Sequence, residues 1–300
     1  MAYQLGWLKN FQFAGDYIAD SKGYYQRFGL SGVTLLSGGP GVVVDPTVVS
    51  GKALIGQSSP DFMATAINHG APLTCIGAGY QRNVACVISM AKTPLAVPRD
   101  MIGRRIGVQT MNLVVWRAFL KLNKIDPASI VSVPVQFDFA PLVSGEVDGF
   151  FGETTDDVIH LQSQGNDVRV MAFTDFGYRM LIATYSVRSD SLTDTAKRAQ
   201  LVAFMKASVL GWNDAIRDPA LGARLTVNVY GRGSGLDLET EERSCRAVNP
   251  FMVSADTEAH GLFWMSPRSI QETVETLAAS GVHASPDMFT NEILEEVRTV

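Results

Sequence analysis

The sequence predicts an α/β fold, and three observations carry the prediction. Short apolar runs of strand length alternate with helical patterns over roughly the first 190 residues. Glycine turns or helix-start signals follow most of those runs, as they do in parallel α/β sheets. A stretch beginning at Val49 is also echoed by one beginning at Val143.

The elements follow in order. Gln4 to Leu8 reads as a first strand, and a loop from Lys9 to Phe13 leads into a helix from about Gly15 to Phe28. Val33 to Leu36 is a second strand. Gly38-Gly39-Pro40-Gly41 is a turn, Pro46 to Ser50 a short helix and Leu54 to Gly56 another short strand. Ser58-Ser59-Pro60-Asp61 has the composition of a helix start, with hydroxyls, proline and an acid in the first turn. That helix runs to about His69, where Gly70 stops it. Leu73 to Ala78 and Val84 to Met90 are strands, and the two prolines between Lys92 and Arg99 mark a connection. Arg105 to Val108 is a strand before a helix from about Met111, and Ile130 to Val135 is the next strand. Pro141 to Ser144 is a short helix, Gly149 to Phe151 a strand and Asp156 to Gln164 a helix closing at Gly165. Val168 to Ala172 and Met180 to Val187 are strands. From Thr193 the pattern is mainly helical.

Composition narrows the function. Hydrophobic residues make up 46% of the 300 and charged residues 18%, which excludes a disordered chain or a coiled coil. A chain of this length buries enough surface to fold without disulfides or a metal. The net charge of −5 argues against nucleic acid as a partner. No apolar run approaches the roughly 20 residues of a membrane span, so any membrane association is expected to be peripheral. No signal peptide is read at Met1. The expectation is a cytoplasmic protein or a mature extracytoplasmic one without its leader. Cys75, Cys86 and Cys245 form no zinc or disulfide pattern and are expected as buried thiols. His69 and His160 are expected near helix C-termini. No metal site, cofactor or catalytic residue is expected, because Walker A, GxSxG, GxGxxG and HExxH motifs are all missing.

The echoed stretches align Gly56-Gln57-Ser58-Ser59-Pro60-Asp61 with Gly152-Glu153-Thr154-Thr155-Asp156-Asp157. Each reads as a strand ending in a turn that feeds a helix N-terminus. Open α/β sheets bind ligands at such strand ends. Ser58, Ser59, Glu153, Thr155 and Asp156 are therefore candidate ligand contacts; the competing reading is that the hydroxyls cap their helices. The loop after the first strand adds Trp7, Phe11, Phe13 and Tyr17, interleaved with Asn10 and Gln12. Rings in a cleft wall stack on flat heterocycles while amides read their edges, with core packing as the alternative. Gly38, Gly39 and Pro40 would let a ligand approach the backbone. Thr110, Trp116 and Phe137 are candidates from the second half.

Leu5-Gly6-Trp7, Phe13-Ala14-Gly15-x-Tyr17-Ile18-Ala19, Lys22-Gly23-Tyr24-Tyr25 and Gly29-Leu30 resemble the opening of the NMT1/THI5-like substrate-binding proteins of ABC importers. The resemblance continues through Ser50-Gly51, Gly103-Arg104-Arg105-Ile106-Gly107-Val108, Gly145-Glu146-Val147-Asp148 and Trp264-Met265. It implies a periplasmic-binding-protein-like fold, two α/β lobes around a hinged ligand cleft. One lobe would be residues 1–91 with 188–300, and the other 92–187. It also implies a monomer outside the cytoplasm that binds a riboflavin-like ring or a thiamine pyrimidine precursor and delivers it to an ABC permease. Gln12-Phe13-Ala14-Gly15 and Gly38-Gly39-Pro40 look most like the riboflavin-binding branch, whereas Thr155-Asp156-Asp157 stands where relatives often carry Asn-Glu. The alternatives are a cytoplasmic enzyme of pyrimidine or cofactor metabolism on the same fold, and a ligand-sensing module. The fungal relatives are pyrimidine-synthesising enzymes with a cysteine-rich motif, and no cysteine run occurs here.

Overall fold

The computed structural model describes residues 1–298. Its strands are β1 (Ala2–Gln4), β2 (Thr34–Leu36), β3 (Ile55–Ser58), β4 (Leu73–Tyr80), β5 (Ala85–Met90), β6 (Arg105–Val108), β7 (Val131–Pro134), β8 (Gly149–Glu153), β9 (Val168–Ala172) and β10 (Ile182–Arg188). They form two five-stranded sheets, ordered β2-β1-β3-β10-β4 and β7-β6-β8-β5-β9.

The two sheets follow one plan. In the first, β1 runs parallel to β2 and β3, and β10 is antiparallel between β3 and β4. In the second, β6 runs parallel to β7 and β8, and β5 is antiparallel between β8 and β9. β3 and β8, the strands that carry the echoed sequences, are the middle strands of their sheets. The repeat read in the sequence is therefore a repeat of position and topology.

Contacts divide the chain into two compact units. One holds Met1–Gln81, Leu181–Val274 and the chain from His283; the other holds Arg82–Met180 and Glu275–Val282. This differs from the expected division at 91 and 187. β5 hydrogen-bonds to β8 and β9, so it belongs to the second sheet, and β10 bonds to β3 and β4, so it belongs to the first. Strand order along the chain does not reveal which sheet an antiparallel strand joins, because its partners are far away in sequence. The sheets are accordingly mixed and not purely parallel.

In the first unit, helix Ala14–Ser21 lies against the long helix Thr195–Arg217. A Cβ at Gly211 would sit 2.0 Å from the Gly15 carbonyl oxygen, and one at Gly15 would sit 2.2 Å from the Trp212 ring. Glycine at both positions is what lets the helices touch. The helix expected over 15–28 breaks after Ser21, because Gly23 adopts φ +69° and a separate turn, Tyr24–Arg27, begins there. In the second unit, Phe119 stacks on Phe173 with ring centroids 3.6 Å apart, and Phe151 meets Phe173 edge-on. The three cysteines are buried free thiols. His69 caps helix Pro60–Asn68, its Nδ1 lying 2.7 Å from the Thr65 carbonyl oxygen, and His160 falls in the last turn of helix Asp157–Ser163. Among the described residues no helix is long and apolar enough to cross a membrane.

Candidate ligand-binding site

In the first unit, β1, β2 and β3 end at one edge of their sheet, and the loops leaving them are tied together. The amide of Gln4 donates to the carbonyls of Leu5, Leu36 and Ser37 at 3.1–3.3 Å. The Gly38 N–H donates to the Trp7 carbonyl at 2.9 Å. A Cβ at Gly38 would lie 2.5 Å from the Leu5 carbonyl oxygen and 2.7 Å from the Trp7 nitrogen, so only glycine fits this crossing. Gly39 is buried with φ +138°, a region that favours glycine, and Pro40 is exposed. Trp7 is half-buried, while Leu8, Val42, Val43 and Phe62 are exposed on the same loops and on the helix after β3. Val43 is 57% exposed and Leu8 50%, so the loops at this edge carry accessible apolar side chains.

At the end of β3 the polar groups are satisfied internally. Ser58 Oγ donates to Asp45 Oδ2 at 2.9 Å, and Ser186 Oγ donates to Asp45 Oδ1 at 3.1 Å. Ser59 Oγ donates to Asp61. Burial pushes both aspartates above the usual carboxylate range, and the serine hydroxyls pull them partly back.

The end of β8 is arranged differently. The Glu153 N–H donates to Asp157 Oδ2 at 2.8 Å and closes the turn, and the Thr154 N–H donates to the Val84 carbonyl. The hydroxyls of Thr154 and Thr155 are buried and make no hydrogen bond, and Thr155 has no exposed surface at all. An unpaired buried hydroxyl costs roughly 1–3 kcal/mol. Burial, and then the Asp156 charge, push the Glu153 carboxyl up to about 7. Asp157 is raised by burial and by Asp156 and Glu153. Gln109, after β6, donates to the Phe151 carbonyl at 3.1 Å and accepts from the Asn112 amide at 2.9 Å. Thr110, Met111 and Phe137 are exposed on the loops after β6 and β7.

Several expected contacts prove to be packing residues. Phe11, Phe13 and Tyr17 have no accessible surface and belong to the core of the first unit. Tyr17 stacks on Tyr230 at 4.3 Å, and the backbone N–H of Phe11 donates to Glu241 at 2.8 Å. Asn10 is buried and accepts from the Gln12 N–H at 3.1 Å, so it shapes the turn under these rings. Trp116 is 2% exposed in the second core, its indole N–H donating to Ser132 Oγ at 3.1 Å. For Tyr17 and Trp116 the covering rings include Tyr230 and Phe173, both distant in sequence. The capping reading fails as well: neither Ser59 nor Asp156, the residues at the two N-cap positions, makes a side-chain cap bond. Asp45, which holds Ser58, and Ser186, which holds Asp45, carry little signal in the sequence. Asp45 stands ahead of Pro46 at a helix start, and that acid was the one available signal.

Among the described residues no group of three or more His, Cys, Asp or Glu side chains is arranged to hold a metal. The thiols are poor nucleophiles here. Burial pushes Cys75 up to about 12 and raises Cys86 and Cys245 well above the ordinary thiol range.

The family described as NMT1/THI5 like matches residues 10–221. The riboflavin-binding protein RibY of Chloroflexus aurantiacus is 24% identical over 301 residues, covering 97% of this chain and 84% of RibY. The periplasmic aliphatic sulphonate binding protein SsuA of Escherichia coli superposes with a TM-score of 0.68 at 16% identity, over 92% of this chain and 85% of SsuA. The desulfurization enzyme DSZB superposes with a TM-score of 0.60 at 13% identity, over 99% of this chain and 98% of DSZB. These structural likenesses establish a fold of the periplasmic-binding-protein type.

Proposed function

Because this chain belongs to the NMT1/THI5-like family, we propose that it is a solute-binding protein for a small aromatic nitrogen heterocycle, riboflavin-like or a thiamine pyrimidine precursor, which it delivers to an ABC permease. The observation that carries this reading is the apolar edge formed by Trp7, Leu8, Val42, Val43 and Phe62 where β1, β2 and β3 end. α/β sheets take ligands at that edge, and exposed apolar side chains there suit the face of a ring better than a sugar or an amino acid. Trp7 supplies the aromatic contact. The loop 38–40 brings backbone close to the ring, and Thr110 and Phe137 belong to the equivalent edge of the second unit. In the second unit the unpaired hydroxyls of Thr154 and Thr155, with Glu153 and Asp156, are the hydrogen-bonding groups at the end of β8. The protein acts as a monomer outside the cytoplasm. It binds without turnover, a reading supported by the buried, high-pKa thiols and by the RibY likeness.

A thermal-shift screen with riboflavin, FMN, thiamine, aminopyrimidine precursors, purines and alkanesulfonates tests this. A ring compound at 100 times its Kd stabilises by about 2.7 kcal/mol, a rise of a few degrees in Tm. The rise should vanish in Trp7→Ala. No rise with any ring, or chemical consumption of the ring, would overturn the proposal.

A further inference from the structure

The loop that carries Trp7 runs on into a tight turn, Phe11–Phe13, whose backbone donors are all engaged. Asn10 serves two of them: its side chain accepts from the Gln12 N–H at 3.1 Å, and its carbonyl accepts from the Phe13 N–H at 3.3 Å. The third bond leaves the turn. The Phe11 N–H donates at 2.8 Å to Oε2 of Glu241, 230 residues along the chain and itself only 2% exposed. We propose, building on the binding-protein reading, that Glu241 is a positioning residue for the ring contact: by holding the Phe11 N–H it fixes the loop that presents Trp7, and the affinity of the site depends on that bond.

Every residue involved belongs to the first unit. Glu241 lies in the first turn of helix Leu238–Met252, where the helix dipole favours an acid, and that helix packs against the turn Phe11–Phe13. The helix start is fixed in its own right, since Asp237 accepts from both the N–H and the hydroxyl of Thr240 at 2.8 Å. A carboxyl group this deeply buried is costly unless hydrogen bonds hold it, and a backbone N–H on a carboxylate oxygen is among the stronger ones. The same stretch of chain meets the loop again, nearer to Trp7. A Cβ at Gly231 would lie 2.7 Å from the Lys9 carbonyl oxygen, so Gly231 rests directly on the backbone of Lys9. A π-helical turn, Thr226–Tyr230, brings it there, and Tyr230 stacks on Tyr17; such turns recur at functional sites. On the other side the Gly38 N–H holds the Trp7 carbonyl. Trp7 and Leu8 are thus strung between fixed points, with the wholly buried rings of Phe11 and Phe13 as the far anchor. A contact ordered in advance loses less freedom on binding than a mobile one.

Calorimetric titration with riboflavin, or with thiamine if riboflavin does not bind, compares the unmodified protein with Glu241→Gln and Glu241→Leu. The glutamine keeps an oxygen for the Phe11 N–H and should bind within about twofold of the unmodified protein, while the leucine variant should bind about fivefold or more weakly. In a Trp7→Ala background the leucine change should cost no more than about twofold, because the contact it positions is gone. A change that merely loosened the fold would cost the same in both backgrounds. Amide exchange in the unmodified protein gives a readout that stands even if the leucine variant does not fold: the Phe11 N–H should exchange slowly in the free protein and several-fold more slowly with the ring bound. Equal affinity in all three proteins, a glutamine variant as weak as the leucine one, a loss independent of Trp7, or a Phe11 amide indifferent to the ring overturns the positioning role and leaves the binding-protein reading intact. Failure of the unmodified protein to bind any ring overturns both.

Discussion

The ends of β3 and β8 are the same place in two copies of one sheet plan, yet they solve their polar chemistry in opposite ways. At β3, Ser58 and Ser59 give their hydroxyl protons to Asp45 and Asp61, and Ser186 adds a second donor to Asp45. At β8, Thr154 and Thr155 are buried without a partner, while Glu153, Asp156 and Asp157 crowd one turn. The first end is complete as folded. The second keeps hydrogen-bonding capacity unspent, as expected of a group reserved for a ligand. Similar sequence at equivalent positions therefore serves stability in one unit and, in our reading, recognition in the other.

Substitutions can break or sharpen this contrast. The largest effect is expected from Asp45→Ala, which strands the hydroxyls of Ser58 and Ser186 in the core and should destabilise by about 2–3 kcal/mol in denaturant unfolding. Ser58→Ala removes one donor and should cost about 1 kcal/mol. The pH dependence comes next. Glu153 is raised from its ordinary 4.5 to about 7, so the folded chain holds that proton to higher pH than the unfolded chain does. Its contribution to stability is full below pH 4.5 and is lost as pH rises through 7. Asp16, buried beneath Tyr25 and Ser208 and raised to about 6, acts with the same sign. Melting temperatures measured across that range should flatten in part in Glu153→Gln. The smallest effect on stability is expected from Thr155→Val, which replaces an unpaired hydroxyl with a methyl group of the same shape. It should be neutral or slightly stabilising yet weaken ligand binding. A loss as large as that of Ser58→Ala would erase the distinction between the two ends.

Much of this was legible in the sequence, and the exceptions have a common cause. β6 and β9 fall where the apolar runs placed them, and the Pro60–Asp61 helix start and its Gly70 stop were read correctly. Those features are local, set by period, turn residues and first-turn chemistry. The aromatic set was misjudged because a ring's identity does not say what covers it. Tyr17 is covered by Tyr230, and Trp116 finds its hydrogen bond at Ser132. Similarly, β5 and β10 were placed in the wrong units because pairing partners decide membership. The Gly38-Gly39 turn is legible from its glycines, whereas Asp45 depends on Ser186, 141 residues along the chain.

The most direct test of the central claim is an equilibrium titration of the purified protein with riboflavin, thiamine and the aminopyrimidine precursors, run beside Trp7→Ala and Thr155→Val. The expected result is saturable one-to-one binding of one ring compound, recovered unchanged, and about tenfold or more weaker in Trp7→Ala. Thr155→Val should fold normally and bind less tightly. Unaltered affinity in both variants, or no saturable binding by any of these rings, would contradict it.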